Sequence, residues 1–236
     1  MNLLNMANTN SSPLPVPQIS IREEDQALFA SINAYVHKYM SKYDNSHDYQ
    51  HILRVLSNTN RILQSEKETN PSASYDTTTL FLTALLHDVG DHKYAQPGED
   101  IENQIANVLR DHGASEDLAT RVQTIVKNVS FTHEVRNPDT VRQALQQYPE
   151  LAIVQDADRL DAIGAVGIGR CFSFGAAKMP EKPMSRAVDH FEEKLYKLEG
   201  MMKTKMGKDM ARRRTQVLKN FAKEWEGEMG LSFELR

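Results

Sequence analysis

The apolar run Thr79-Leu80-Phe81-Leu82-Thr83-Ala84-Leu85-Leu86 ends in His87 and Asp88, an imidazole and a carboxylate side by side where a core helix should finish. Burial penalises such groups unless each finds a partner, and a divalent cation is a good one for both. Two more residues of ligand type stand apart in the chain. His51 lies within His47-Asp48-Tyr49-Gln50-His51-Ile52-Leu53-Arg54-Val55, and Asp158 within Asp156-Ala157-Asp158-Arg159-Leu160-Asp161. Two imidazoles and two carboxylates suit Mn²⁺, Fe²⁺, Co²⁺, Ni²⁺ or Zn²⁺, and a mixed N/O set with open water positions puts Mn²⁺ ahead of Mg²⁺. Such an ion lowers the pKa of bound water, to about 7 for zinc, and polarises a phosphoryl oxygen, so phosphoanhydride or phosphoester hydrolysis is the natural chemistry. Taken singly, each residue also has a structural use. His51 alone is a hydrogen-bonded core histidine, His87-Asp88 a helix-end pair, and Asp158 a partner for Arg54 or Arg159.

In the order His, His-Asp, Asp, the chain resembles the HD-domain metal-dependent phosphohydrolase superfamily. His51-Ile52-Leu53-Arg54-Val55 matches that family's His-x-x-Arg-Val opening, and Ala157-Asp158-Arg159-Leu160 matches a stretch also seen in the hydrolase half of alarmone synthetase/hydrolases. His47-Asp48, His87-Asp88-Val89-Gly90-Asp91, Asn128-Val129-Ser130-Phe131 and residues 155–169 are most similar to the small YpgQ/YedJ-like branch. The resemblance spans residues from about 25 to 225. It implies one metal held by His51, His87, Asp88 and Asp158, and cleavage of nucleoside or deoxynucleoside triphosphates to pyrophosphate and a monophosphate. Asp91, where related pyrophosphohydrolases carry an acid, would orient or deprotonate the attacking water. His92 departs from the second acid of the alarmone hydrolases; it would protonate the leaving group or face solvent. Lys93, Arg54 and Arg159 are candidates for substrate phosphates, or braces for Asp158 and Asp88. Binuclear relatives add histidines between the second and last ligands, which makes His112 and His133 candidates for a second ion; His112, before Gly113, equally suits a helix end. The alternatives are a 5'-nucleotidase-type phosphomonoesterase, a binuclear oxygenase-like site, and a non-catalytic metal-containing nucleotide-binding module.

The elements that must position these groups read as helices almost throughout. Apolar residues recur at helical spacing in Ile52, Val55, Leu56, Ile62 and Leu63, in Leu118, Val122, Ile125 and Val126, and in Val217, Leu218, Phe221 and Trp225. Breaks are expected at Asn70-Pro71-Ser72, Gln96-Pro97-Gly98, Asn137-Pro138-Asp139, Tyr148-Pro149 and from Met179-Pro180 to Pro183. The expected fold is all-α, a single HD-domain bundle of about eight to ten helices over residues 21–236, preceded by a flexible tail of residues 1–20. His51 lies on the inward stripe four residues before Val55. Val154, Asp158, Asp161 and Ala165 share a face, so Asp158 should point to the core and Asp156 away. Gly164-Ala165-Val166-Gly167-Ile168-Gly169 does not spell a dinucleotide fingerprint and suits close helix packing.

At 236 residues the chain is long enough to bury a core without staples, and its single cysteine, Cys171, excludes an intrachain disulfide. Residues 1–20 lack the pattern of a cleavable signal, and no apolar run reaches the length of a membrane span, so a cytoplasmic protein with no membrane partner is expected. A net charge of −4 argues against bulk attraction to nucleic acid. Residues 203–214 carry six basic residues against one acid, a solvated helix face, a lid over nucleotide phosphates or a nucleic-acid patch. The expected partner is a small nucleotide; homo-oligomerisation is left open.

Overall fold

Every residue from 78 to 86 is buried, which makes α3 (Thr77–Leu86) the axis around which the chain is built. The structure, a computed structural model, describes residues 19–90 and 102–230. It is all-helical, with no strand among the described residues. Ahead of α3 come α1 (Gln26–Met40) and α2 (Tyr49–Thr69); after it come α4 (Gln104–Asp111), α5 (Glu116–Lys127), α6 (Phe131–Arg136), α7 (Pro138–Gln147), α8 (Glu150–Asp161) and α9 (Gly164–Lys178). The last are α10 (Arg186–His190), the π-helical turn Phe191–Leu195, α11 (Lys197–Gly200) and α12 (Lys205–Met229). Among the described residues nine helices are eight residues or longer, within the expected eight to ten; α6, α10 and α11 are short additions. α1, α2, α5 and α8 pack on α3, α2 also packs along α8, and α12 crosses α8, α9 and α2. Leu80, Leu82, Leu85 and Leu86 are fully enclosed, each burial worth about 1.5–3 kcal/mol.

Local chemistry sets the helix ends that carry the candidate ligands. The Asp48 carboxylate accepts the His51 backbone N–H at 3.1 Å, so α2 starts with His51 in its first turn. Asp76 caps α3 through the Thr79 N–H at 2.9 Å, and its own N–H donates to Glu150 Oε1 at 2.7 Å, joining the starts of α3 and α8. α3 ends at His87, and Gly90, at φ +78°, turns the chain through a left-handed conformation that a side chain would resist. Pro138 opens α7 and Pro149 precedes α8, as expected. The expected break at Gln96-Pro97-Gly98 lies outside the described residues, as does nearly all of the expected tail; Ile19 and Ile21 already pack against the core.

One expectation fails on α8. Asp156, expected to face away, is fully buried and accepts the Lys203 N–H at 2.9 Å, the Thr204 N–H at 2.8 Å and the Thr204 hydroxyl at 2.7 Å. The reason is that α8 has neighbours all round, among them α2, α3, α7, α9 and α12, so its apparent outer face meets the start of α12. Burial pushes the Asp156 carboxyl up, and these hydrogen bonds oppose that rise. Close helix packing in the glycine-rich segment is seen at Gly164, where a Cβ would lie 3.0 Å from Arg214 Cγ on α12; at Gly167 a Cβ would instead meet the Ala162 carbonyl oxygen just before its own helix. No single helix among the described residues is long and apolar enough to cross a membrane.

Candidate metal centre

Three helices deliver the site: α2 brings His51, the end of α3 brings His87 and Asp88, and α8 brings Asp158. Ligand atoms of His51, His87 and Asp158 all lie within 4.8 Å of one another. The His51 and His87 Nε2 atoms are 3.1 Å apart, and each is 3.7 Å from Asp158 Oδ1. Asp88 approaches the same imidazoles, with Oδ2 3.1 Å from His51 Nε2 and Oδ1 3.6 Å from His87 Nε2. Both histidine side chains are 1% exposed, whereas that of Asp158 is 27% exposed and forms the open side of the cluster.

The proton positions follow from the outer partners. His51 Nδ1 is 2.7 Å from Asp161 Oδ2, a carboxylate that can only accept, so Nδ1 carries the proton and Nε2 presents a lone pair. His87 Nδ1 is 2.9 Å from the Ala84 carbonyl oxygen, with the same consequence. Two imidazole lone pairs thus face each other between two carboxylates. Asp88 Oδ2 is buried without a hydrogen bond, because its 3.1 Å approach to His51 Nε2 has no proton aimed along it. A divalent cation fits this donor set, since it satisfies lone pairs and carboxylates together. Burial pushes the Asp88 carboxyl up, and positive charge on the two imidazoles, which a bound cation would replace, more than reverses that and holds it well below the usual carboxylate range.

Behind this cluster stands Asp161. Arg54 grips it bidentately, Nε to Oδ1 at 2.7 Å and a terminal N–H to Oδ2 at 3.0 Å, and Arg170 donates to Oδ2 at 3.1 Å. Burial of Asp161 is outweighed by the His51 and Arg54 hydrogen bonds, which hold it ionised. On His51, burial and the Arg170 charge push downward, and Asp161 and Asp88 together leave its pKa raised.

Of the residues singled out in the sequence, His51, His87, Asp88 and Asp158 come together. Arg54 is placed on Asp161 as a brace. Arg159, offered for substrate phosphates, is 2% exposed and donates inward to Glu134 at 2.5 Å and to the Met201 carbonyl at 3.2 Å. Its enclosure by α6 and the segment before α12 gives it to the scaffold. Asp91, His92 and Lys93 lie outside the described residues. His112 ends α4 with Nδ1 2.8 Å from the Val108 carbonyl oxygen, and neither it nor His133 belongs to the ligand cluster. In the basic segment, Lys203 pairs with Glu134 at 2.8 Å, while Lys205, Lys208, Arg212 and Arg213 are exposed.

Sequence reasoning did not assign roles to Asp161, Arg170 or His47. Asp161 carried a signal, sharing a face with Asp158 three residues earlier. His47 sits one turn before His51, its ring 6.3 Å from the His51 ring and 5.9 Å from that of Phe174. Arg170 carried none, since only the bend between α8 and α9 returns it to Asp161.

This fold and ligand cluster define a metal-dependent phosphohydrolase of the HD class, and residues 48–163 match the model of the HD domain family. The chain belongs to that family: it is 32% identical over 183 residues to the protein YpgQ of Bacillus subtilis (strain 168), covering 75% of this chain and 82% of YpgQ. It is also similar to a solved protein from Lactobacillus plantarum, at a TM-score of 0.70 and 25% identity over 89% of this chain and 98% of the other. Bacillus subtilis YpgQ solved in complex with ADP aligns at a TM-score of 0.63 and 28% identity, over 86% and 95%. An HD-superfamily hydrolase from Bacillus thuringiensis aligns at 0.60 and 27%, over 85% and 95%.

Proposed function

We propose that the protein hydrolyses nucleoside or deoxynucleoside triphosphates with Mn²⁺, releasing pyrophosphate and a nucleoside monophosphate. The observation that carries the reading is the pair of imidazole lone pairs facing each other between Asp88 and Asp158. The ADP bound to YpgQ supports a nucleotide as the substrate class. The chemistry supplied by a bound divalent ion is Lewis acidity toward a phosphoryl oxygen and a lowered pKa for water.

This chain's own groups supply the rest. Asp161 fixes the His51 ring so that Nε2 faces the cluster, and the Ala84 carbonyl does the same for His87. Asp158, the most open of the four, sets the side on which substrate enters. Asp91, three residues beyond Asp88, takes a proton from the attacking water, and His92 returns one to the leaving pyrophosphate oxygen. Lys93 holds the phosphate tail, so the bond from the α phosphorus to its bridging oxygen is the one that breaks. With Cys171 as its only cysteine the chain can form no internal disulfide, which is consistent with a reducing compartment such as the cytoplasm.

The test is hydrolysis of a nucleotide panel in ¹⁸O-labelled water, followed by ³¹P NMR. Label in the monophosphate, with pyrophosphate as the other product, is expected. Label confined to orthophosphate would replace this reading with that of a phosphomonoesterase, and no turnover with metal bound would replace it with that of a binding module.

A further inference from the structure

Four arginines meet in a cleft that lies behind the candidate metal centre. Arg54 and Arg61 from α2 and Arg213 and Arg214 from α12 line a cavity of about 450 Å³ with the first turn of α9. None of His51, His87, Asp88 or Asp158 lines it. Asp161 is the one acid in its wall, and it is already spent on His51, Arg54 and Arg170.

The other three guanidinium groups lack acidic partners. Among the described residues Arg61 makes no hydrogen bond or ion pair, Arg213 reaches only the Asp209 carbonyl at 3.3 Å, and Arg214 donates to the Leu160 carbonyl. Burial pushes the Arg214 guanidinium down; Asp161 opposes that and the Arg61 charge adds to it. Like charges gathered in a concave wall raise the local concentration of anions, and guanidinium forks match phosphate oxygens bidentately. The volume suits a small ligand rather than a single ion. The first turn of α9 has no side-chain cap.

We propose that this cleft is a second binding site, taking a small oligophosphate: free pyrophosphate or the diphosphate group of a nucleotide. The inference does not depend on which bond the metal site breaks. Because Arg54 and Asp161 line the cleft and also brace His51, the two sites share these two residues.

The test is calorimetric titration of the full-length, metal-loaded protein with pyrophosphate and, separately, ADP, each in excess Mg²⁺. It is run beside Arg61→Gln, Arg213→Gln and the double variant. Both positions are exposed, so metal content and melting curve should match the parent in each case. One binding event should weaken in both single variants and fall about tenfold or more in the double variant. Tighter binding of pyrophosphate would identify the free anion as the ligand, and tighter binding of ADP the nucleotide. Superimposable isotherms for parent and double variant would overturn the proposal, as would equal competition by sulfate at matched ionic strength.

Discussion

Replacing Asp161 with Asn tests whether the metal centre depends on a residue that touches no metal. In the parent the carboxylate accepts His51 Nδ1–H at 2.7 Å, two bonds from Arg54 and one from Arg170. An amide of the same shape keeps one acceptor oxygen and turns an NH₂ group toward a donor, whichever way it is flipped. In either orientation both guanidinium groups lose their counter-charge, and His51 loses the carboxylate that orients its ring and raises its basicity, keeping at most an amide oxygen. Loss of such an outer partner weakens metal binding by about 10–100-fold, or roughly 1.4–2.7 kcal/mol. Breaking a buried ion pair costs about 3–5 kcal/mol, but the Arg54 side chain is 35% exposed and regains water, so about 2–3 kcal/mol of stability is the expected loss here. Competition against a metal-binding indicator dye gives the first quantity, and urea unfolding of metal-free protein the second. Metal affinity within twofold of the parent, alongside the stability loss, would refute the link from Asp161 through His51 to the ion.

Other substitutions probe other layers. Asp91→Asn should keep the bound metal and lower kcat by about 10²-fold or more, and an unchanged kcat in steady-state assays would remove Asp91 from the chemical step. Leu82→Ala, at a fully enclosed position on α3, should cost about 2–5 kcal/mol in urea unfolding, and a loss under about 1 kcal/mol would contradict α3 as the centre of the core. Glu134 is pushed up by burial and held lower overall by Lys203 and Arg159, so its folded pKa lies below its unfolded value. Its contribution is therefore fully present above the ordinary carboxylate pKa of about 4.3 and is lost as pH falls through the folded value. The stability gap between parent and Glu134→Gln should shrink in urea titrations below about pH 4; a gap that grows there would reverse the assigned shift.

How far the site could be read in advance follows from how local its causes are. The convergence of His51, His87, Asp88 and Asp158 was legible because periodicity put each on or at the end of an apolar helix, and because their order matched a known pattern. Pro138 and Pro149 announced helix starts through backbone chemistry alone. Asp156 and Arg159 were misjudged because a helical period reveals which face is apolar, but not whether another helix covers the polar face; on α8, α12 and α6 do so. Arg170 and the arginine cleft were invisible for the same reason, since the first depends on the bend between α8 and α9 and the second arises where α2, α9 and α12 meet.

Metal content of purified Asp88→Ala, measured by elemental analysis against the parent, tests the centre most directly. Asp88 Oδ2 is buried with no hydrogen bond of its own, which leaves it free to serve as the ligand proposed here. Removing it should bring the metal-to-protein ratio well below the parent's, with the fold retained by circular dichroism. Full metal occupancy in that variant would contradict the assignment of His51, His87, Asp88 and Asp158 as one ligand shell.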